Sequence, residues 1–283
     1  MQVIKEKTTL NNWVATIKHE EGVIGLVPTM GALHEGHVSL IRQAASVCDW
    51  VVVSIFINPT QFDKVLDLQN YPQTLDEDIA LLKELNLNIV VFSPTASEIY
   101  DDKIEAEHFE FDGVELEMEG KFRFGHFDGV GTVVKKLFEI IQPDKAFFGE
   151  KDFQQLQIIR KLTEKTGLPV AIIGCPIHRE SNGLARSSRN ERLNDEMRQQ
   201  ASFIYQTLLR AKEKFGTESA QQISDWVENE FKIHPFLKLE YFEIADTNSL
   251  KTVKNKQLGT SYRAFIAVYA GEVRLIDNIA LNY

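Results

Sequence analysis

The sequence predicts an α/β protein in which a doubly wound parallel sheet is followed by a smaller α+β domain. Up to about residue 175, short apolar runs alternate with amphipathic stretches of helical spacing, and this alternation favours right-handed parallel crossovers. From residue 176, two helical stretches precede two β-rich stretches. We therefore expect one domain at residues 1–175 and another at 176–283, with the hinge near residues 174–176.

The predicted elements follow in order along the chain. We expect strands at residues 23–27, 50–57, 88–92, 145–149 and 169–173, because near-continuous apolar runs are typical of strands covered on both faces. Apolar spacing predicts helices after residue 37, at 129–142 and at 152–166, and a capping box formed by Thr74 and Glu77 opens another. In the second domain we expect helices at 195–215 and 219–231 and β-structure at 237–244 and 262–276.

Composition narrows the classes of partner. The 283 residues are 43% hydrophobic and 25% charged, and the formal net charge is −10, which opposes non-specific attraction to nucleic acid or to an anionic membrane. Cys48 and Cys175 each end an apolar stretch, so we expect reduced core thiols. The N-terminus has no apolar signal core, and no run approaches the roughly 20 apolar residues of a membrane span. The expected compartment is the cytoplasm.

The most informative motif is the stretch Met30-Gly31-Ala32-Leu33-His34-Glu35-Gly36-His37, which follows the predicted strand at residues 23–27. His37 should lie at a helix N-terminus, where backbone N–H groups and the helix dipole favour an anion. The motif therefore indicates a phosphate site, with a satisfied Gly-rich turn as the alternative. A zinc site is less favoured because the spacing of the histidines does not give a four-ligand set.

Other polar residues follow the predicted strands, and parallel strands present their carboxyl ends to one crevice. Lys151 can reach a phosphoryl oxygen and Asp152 a ribose hydroxyl, although an ordinary helix start is the alternative interpretation. Gln61 and Gln155 can bind hydroxyls and a carboxylate without competing as nucleophiles, but each alone is better explained by a structural role. The sequence carries neither a P-loop nor a dinucleotide fingerprint.

A second polar stretch, residues 183–190, places two arginines and two serines beside a glycine. Serine hydroxyls and guanidinium groups can bind phosphate oxygens, so the stretch predicts a polyphosphate-binding loop. The alternative is a solvated surface loop in which Ser188 caps the next segment.

Together these motifs resemble the pantothenate synthetase family, that is, the pantoate–β-alanine ligases. The resemblance covers nearly the whole chain and rests on residues 28–37, Asn58-Pro59-Thr60-Gln61-Phe62, residues 149–156 and residues 183–190. That family resembles the nucleotidyltransferases and class I aminoacyl-tRNA synthetases in its His-x-Gly-His signature and mobile serine-rich loop. The resemblance thus implies a Rossmann-like nucleotide-binding domain.

The resemblance also implies an activity: ATP-dependent condensation of (R)-pantoate with β-alanine through a pantoyl-adenylate, releasing AMP and diphosphate. It implies His37, His34 and Lys151 as catalytic residues, Gln61 as a ligand of pantoate and β-alanine, and Gln155 as a ligand of pantoate. The implied ATP site consists of Met30, Gly31, Ala32, Leu33, His34, Glu35, Gly36, His37, Gly149, Glu150, Lys151, Asp152, His178, Arg186, Ser187, Ser188 and Arg189. Mg²⁺ and a homodimer are expected, whereas a nucleic-acid or membrane partner is not.

Three residues depart from the family pattern. Arg186 stands where an apolar residue usually precedes the serine pair, Phe124 where proline is frequent, and Gln73 where arginine is frequent. Two other functions stay open at this point: another small-molecule adenylyltransferase, and a nucleotide-binding regulator without turnover.

Overall fold

The computed structural model describes residues 1–62, 68–69, 71–101 and 103–281. These residues divide into two compact units. The first consists of residues 1–150 with Gln154–Pro176, and the second of Lys151–Phe153 with the chain from Ile177 onwards. The domain boundary at residue 175 stays a prediction.

The first unit is built on a six-stranded parallel sheet; the sequence predicted a parallel sheet of five of these strands, and the edge strand Gln2–Ile4 was not predicted. Its strands are β1 (Gln2–Ile4), β2 (Ile24–Thr29), β3 (Trp50–Ile55), β4 (Ile89–Phe92), β5 (Lys145–Gly149) and β6 (Ala171–Cys175). Their order in the sheet is β1-β4-β3-β2-β5-β6. The chain runs from β2 outward through β3 and later returns to the other side of β2 for β5. The switch point, where doubly wound sheets bind ligands beyond the strand ends, therefore lies between β2 and β5.

Helices cover this sheet: α1 (Lys7–His19), α2 (Glu35–Ala45), α3 (Leu75–Glu84), α4 (Ala96–Tyr100), α5 (His126–Ile141) and α6 (Phe153–Thr166). Between α2 and the central strands, Ile41, Val53 and Val91 belong to one buried apolar cluster. The near-continuous apolar runs of the sequence are explained by this burial, because Leu26, Val52 and the other central positions face covered layers on both sides.

The second unit has its own core. Helices α7 (Asp195–Gln200), α8 (Ser202–Phe215) and α9 (Ala220–Lys232) accompany an antiparallel sheet of β7 (Leu237–Asp246), β8 (Tyr262–Ala270) and β9 (Val273–Leu281). The predicted β-rich stretch 262–276 is the hairpin β8–β9, which turns at Gly271 with a φ of +59°. Phe215, Ile223 and Ile266 lie in the core of this unit. The smaller α+β domain predicted from the sequence is thereby confirmed.

Several details differ from the predictions. The strand expected at 169–173 is β6 (Ala171–Cys175), the strand expected at 50–57 ends at Ile55, and the helix expected at 129–142 begins at His126. The helix expected at 195–215 is interrupted at Ala201, giving α7 and α8. The capping box predicted at the start of α3 is wrong, because Thr74 makes no side-chain capping bond. Its hydroxyl instead donates to Asp78 and accepts from the Ala32 amide, 3.2 Å away.

Both cysteines are free thiols. Cys175 is buried, and this burial raises its pKa to about 11, while Cys48 is only half-buried. Within the described ranges of the chain, no helix is both long enough and apolar enough to cross a bilayer.

Candidate active site

The turn after β2 is shaped by two residues with positive φ. Gly31 has a φ of +84° and Ala32 a φ of +51°, a region that glycine adopts without cost and other residues rarely adopt. A Cβ on Gly31 would lie 3.1 Å from an oxygen of Asp78. The turn therefore needs glycine at this position for conformation and for space.

Asp78, on α3, holds this turn in place. Its Oδ1 accepts a hydrogen bond from the Leu33 amide at 2.7 Å, and its Oδ2 accepts one from the Ala32 amide at 3.0 Å. The side chain is buried, and this burial raises the pKa of Asp78 even though the two amides favour the charged form. A buried carboxylate 45 residues away from Leu33 along the chain thus fixes the backbone just before the histidines.

His34 and His37 lie at the N-terminus of α2 and cap it reciprocally. The Nδ1 atom of His34 accepts from the Gly36 amide at 3.1 Å, and the Nδ1 atom of His37 accepts from the His34 amide at 3.3 Å. Their rings are stacked with centroids 4.1 Å apart. Because each Nδ1 is an acceptor, each neutral ring carries its proton on Nε2, the form that can donate a hydrogen bond.

Gln61 lies in a 3₁₀ turn, Pro59–Gln61, that follows β3. Asn58 Nδ2 donates to Gln61 Oε1 at 3.2 Å, and Gln61 Nε2 donates to the Met30 sulfur at 2.8 Å. Asn58 is itself fully buried and is bonded through Oδ1 to the Tyr100 hydroxyl. The structure therefore joins the predicted substrate residue Gln61 to Met30, which is predicted to contact ATP.

Helix α5 packs directly on this turn. Asn58 Nδ2 donates to the Gly129 carbonyl at 3.1 Å, and a Cβ on Gly129 would lie 2.3 Å from the Thr60 carbonyl oxygen. His126, at the start of α5, bonds through Nδ1 to the Gln61 carbonyl at 2.9 Å. Only a glycine allows the helix to approach the turn this closely.

The adjacent glutamines of α6 differ in role. Gln154 is buried, donates to the carbonyls of Val114 and Glu117 at 2.8 and 2.7 Å, and accepts from the Glu119 amide at 3.0 Å. It therefore ties the 114–119 segment to α6. Gln155 is half-buried, and its contact with pantoate stays a prediction.

In the second unit, Lys151 lies in a 3₁₀ turn, Glu150–Asp152. Its carbonyl accepts from Asn278 Nδ2 at 2.9 Å, and its Nζ lies 3.7 Å from Asp152 Oδ2. The neighbouring Asp277 is buried and is paired in bidentate fashion with Arg179, at 2.6 and 2.9 Å. The backbone of Lys151 is thus anchored to β9 independently of its ammonium group.

Residues 186–190, here called the serine-arginine segment, lie in the same unit. The segment leads into a 3₁₀ turn, Ser188–Arg192. Ser187 caps this turn by accepting from the Arg189 amide at 3.3 Å. Lys151, Ser187 and Arg189 line one small cavity together with Asn190 and the Asp277 region. The structure therefore brings together three of the cations and hydroxyls predicted to contact ATP.

Arg186 is engaged elsewhere. Its Nη1 lies 3.2 Å from Glu180 Oε1 and 2.6 Å from Glu191 Oε1, and it is not among the described residues that line the cavity. Glu180 also receives two hydrogen bonds from Arg198 and one from Asn190. These donors, Arg198 first, lower the pKa of Glu180 to about 2.

The predicted site residues are divided between the units. Those in the first unit are Met30, Gly31, Ala32, Leu33, His34, Glu35, Gly36, His37, Gln61, Gly149, Glu150 and Gln155. Those in the second are Lys151, Asp152, His178, Arg186, Ser187, Ser188 and Arg189. His178 is exposed, and its carbonyl accepts from the Arg186 amide at 2.9 Å. Sequence reasoning missed Asp78, Gly129 and Glu180, which shape the site from outside the motifs, and it missed the supporting role of Asn58 within the motif at residues 58–62.

A doubly wound sheet with a reciprocally capped histidine pair beside its switch point defines an α/β enzyme of the class that binds nucleotides at a His-x-Gly-His turn. The chain belongs to the pantoate–β-alanine ligase family, whose model matches residues 2–280.

Individual relatives agree with this assignment. A pantothenate synthetase from Christiangramia forsetii is 62% identical over 282 residues, which is 100% of both chains, and one from Flavobacterium psychrophilum is 50% identical over the same length. A solved pantothenate synthetase from Thermus thermophilus superposes with a TM-score of 0.89 at 37% identity, covering 99% of each chain.

A pantoate–β-alanine ligase from Francisella tularensis, solved in complex with β-γ ATP and β-alanine, superposes with a TM-score of 0.79 at 35% identity. It covers 99% of this chain and 97% of its own.

Proposed function

We propose that this chain condenses (R)-pantoate with β-alanine in two steps, using ATP and passing through a pantoyl-adenylate. The observation that carries the proposal is the match to the ligase family over residues 2–280. The product, pantothenate, is a precursor of coenzyme A.

In the first step a pantoate carboxylate oxygen attacks the α-phosphorus of ATP, and the bond from that phosphorus to the diphosphate breaks. The carboxylate is already ionised near neutral pH, so this step needs no general base. It needs in-line positioning and stabilisation of charge on the phosphate oxygens. We assign that stabilisation to His34, His37 and Lys151, together with Ser187, Ser188 and Arg189.

The histidine turn supports this role through its tautomers. His37 carries its proton on Nε2 because Nδ1 accepts from the His34 amide, so the ring can donate to an oxygen on which negative charge develops. The backbone N–H groups at the start of α2 add further positive potential. The remaining ATP contacts are assigned to the predicted residues at 30–37, 149–152, 178 and 187–189, whereas the guanidinium of Arg186 is engaged by Glu180 and Glu191.

We assign pantoate binding to Gln61 and Gln155, with Gln61 also contacting β-alanine. The amide of Gln61 is oriented by Asn58 and by Met30, so it offers a fixed and uncharged hydrogen-bonding group. In the second step the uncharged amine of β-alanine attacks the acyl carbon, the bond from that carbon to the AMP oxygen breaks, and the amine loses a proton. Gln61 cannot accept this proton, because an amide is not a base at neutral pH.

Magnesium is expected as the counter-ion of ATP. Within the described residues no group of three or more His, Cys, Asp or Glu side chains could hold a metal ion. We therefore expect Mg²⁺ to enter with the substrate phosphates, which commonly supply much of its ligation in such enzymes. A cytoplasmic location and a homodimer also remain predictions.

Product analysis tests the proposal and separates it from other adenylyl transfer. Purified protein is incubated with Mg-ATP and with pantoate, β-alanine or both, and AMP, diphosphate and pantothenate are quantified. We expect equimolar AMP, diphosphate and pantothenate over many turnovers only when both substrates are present. AMP retained in the organic product would indicate a nucleotidyltransferase instead. ATP binding without any pantoate-dependent diphosphate–ATP exchange would indicate a regulator.

A further inference from the structure

The side chain of Glu180 receives hydrogen bonds from both ends of the serine-arginine segment. Its Oε1 accepts from Arg186 at 3.2 Å, immediately before Ser187, and from Asn190 at 2.8 Å, immediately after Arg189. The three residues between these two contacts, 187–189, are those assigned to the phosphates of ATP. One carboxylate thus fixes both flanks of the predicted anion-binding stretch.

Glu180 is itself firmly held. Arg198, on α7, donates from Nε to Oε2 at 2.9 Å and from Nη2 to Oε1 at 2.8 Å, a bidentate geometry that fixes direction as well as distance. The Glu180 amide donates to the Leu184 carbonyl at 2.8 Å, and the Arg186 amide donates to the His178 carbonyl at 2.9 Å. The carboxylate is therefore mounted on a hydrogen-bonded loop and braced by a helix.

Arg186 is part of the same cluster of ion pairs as Glu180 and Arg198. Two carboxylates, Glu180 and Glu191, contact its guanidinium. The two glutamates together with Arg186 and Arg198 have a net charge of zero. Its side chain is 18% exposed, and both its ion pairs direct it toward Glu180 and Glu191. An arginine already neutralised in this way contributes little additional field to a phosphate.

We propose that Glu180 is a positioning residue for ATP, holding residues 187–189 in their binding geometry through Arg186 and Asn190, and that Arg186 acts on ATP only through Glu180. This inference rests on the proposed function, since it takes residues 187–189 as ATP contacts.

A double-mutant cycle on ATP affinity tests the inference. The variants are Glu180→Gln, Arg186→Leu and their combination, with Glu191→Gln as the matched control because it removes a carboxylate that contacts Arg186 but not Asn190. The dissociation constant of Mg-ATP is measured by calorimetry without pantoate, so the readout does not depend on turnover. Thermal unfolding of each variant checks the fold.

We expect Glu180→Gln to weaken ATP binding about 10- to 100-fold, the size of effect expected when hydrogen bonds to a charged group are lost, with the KM for pantoate within about twofold. Arg186→Leu alone should weaken ATP binding about 3- to 10-fold, and should add less than about twofold in the Glu180→Gln background, because the two residues act through one network. Glu191→Gln should change ATP binding less than about threefold.

Two results would overturn the inference. If the fold-changes in ATP affinity caused by Glu180→Gln and Arg186→Leu multiplied in the double variant, Arg186 would contact ATP directly. An ATP affinity of Glu180→Gln within twofold of the parent, alongside a lower melting temperature, would mean that Glu180 is only structural. If Glu180→Gln does not fold, Arg198→Lys replaces it, because lysine keeps the positive charge but cannot donate the bidentate pair to Glu180. We then expect ATP binding to weaken by a smaller factor, at least about threefold.

The proposed function can fail separately. Wild-type protein that binds ATP but gives no pantoate-dependent product would contradict the function, while the calorimetric cycle would still decide the role of Glu180.

Discussion

The two parts of the candidate site are held by different forces. In the histidine turn, backbone amides are fixed by the buried carboxylate of Asp78 and by reciprocal capping of His34 and His37. In the serine-arginine segment, Glu180 binds two arginines and an asparagine. Hydrogen bonds from neutral backbone amides respond weakly to salt, whereas ion pairs between partly exposed side chains are screened by it. The first region is therefore expected to be rigid across conditions, and the second to be adjustable.

The largest effect on activity is expected from removing the ammonium group of Lys151, which lines the same cavity as the serine-arginine segment. Lys151→Ala should reduce pantoate-dependent diphosphate–ATP exchange by about 10²–10³, the usual cost of losing one preorganised charge contact. The fold should persist, because the carbonyl of Lys151 and not its side chain is bonded to Asn278. Lys161→Ala is the control, since Lys161 pairs with Asp112 and Glu164 at the surface of the first unit. Near-normal exchange by Lys151→Ala would remove Lys151 from the mechanism.

A smaller but still large effect is expected where α5 approaches the Gln61 turn. Gly129→Ala should lower the free energy of unfolding by about 1–3 kcal/mol through overpacking and should raise the KM for pantoate, because its Cβ would meet the Thr60 carbonyl at 2.3 Å. Urea unfolding and initial-rate kinetics measure the two changes.

The control for that substitution is Gly216→Ala, at a helical φ of −61° with 3.5 Å to the nearest atom. Alanine there should be neutral or stabilising by up to about 1 kcal/mol. If Gly129→Ala behaved like Gly216→Ala, the close approach of α5 would not constrain the site.

The buried anchor of the histidine turn gives the next effect. Asp78→Asn places an NH₂ group against one of two backbone amides, so we expect a loss of about 1–3 kcal/mol of stability and weaker ATP binding. Asp76→Asn removes the same charge from the exposed first turn of the same helix. Its cost should stay within about 0.3–1 kcal/mol, the size of a helix-dipole contribution. Equal effects of the two substitutions would show that Asp78 acts through its charge and not through the hydrogen bonds it accepts from the two backbone amides.

The smallest expected effect is a difference in how the two regions contribute to stability as pH changes. The lowered pKa of Glu180, from its ordinary 4.5 to about 2, gives stability that is present above pH 4.5 and lost as pH falls toward 2. The pKa of Asp78 is raised by burial above its ordinary 3.8, which gives stability that is present below pH 3.8 and lost as pH rises through the folded-state value.

Urea unfolding between pH 6 and pH 3 checks this contrast. The stability difference between wild type and Glu180→Gln should shrink as pH falls, whereas the difference between wild type and Asp78→Asn should grow. The same slope for both pairs would contradict the assignment of opposite pKa shifts.

Much of the fold could be predicted from sequence because its signals are local. The apolar runs at β2, β3 and β5 are long enough to identify buried strands, and strands alternating with helices imply parallel order. The pair His34 and His37 was found for the same reason, since glycines and a helical pattern flank it within a few residues. These signals require no knowledge of distant contacts.

The supporting residues could not be found in this way. Asp78 reaches Leu33 across 45 residues, and Asn58 meets Gly129 across 71, so no local pattern marks either pair. Thr74 fitted a capping box by spacing, but a tertiary bond to the Ala32 amide took its hydroxyl. Arg186 was noticed as a departure, yet only the structure shows its pairing with Glu180 and Glu191.

Oxygen transfer from pantoate to AMP tests the central claim most directly. Pantoate labelled with ¹⁸O in its carboxylate is incubated with β-alanine and Mg-ATP, and the products are examined by mass spectrometry. Attack of the carboxylate on the α-phosphorus predicts one ¹⁸O atom in each AMP and none in diphosphate. ADP as the nucleotide product, with ¹⁸O in inorganic phosphate and none in the nucleotide, would contradict the pantoyl-adenylate and indicate an acyl phosphate.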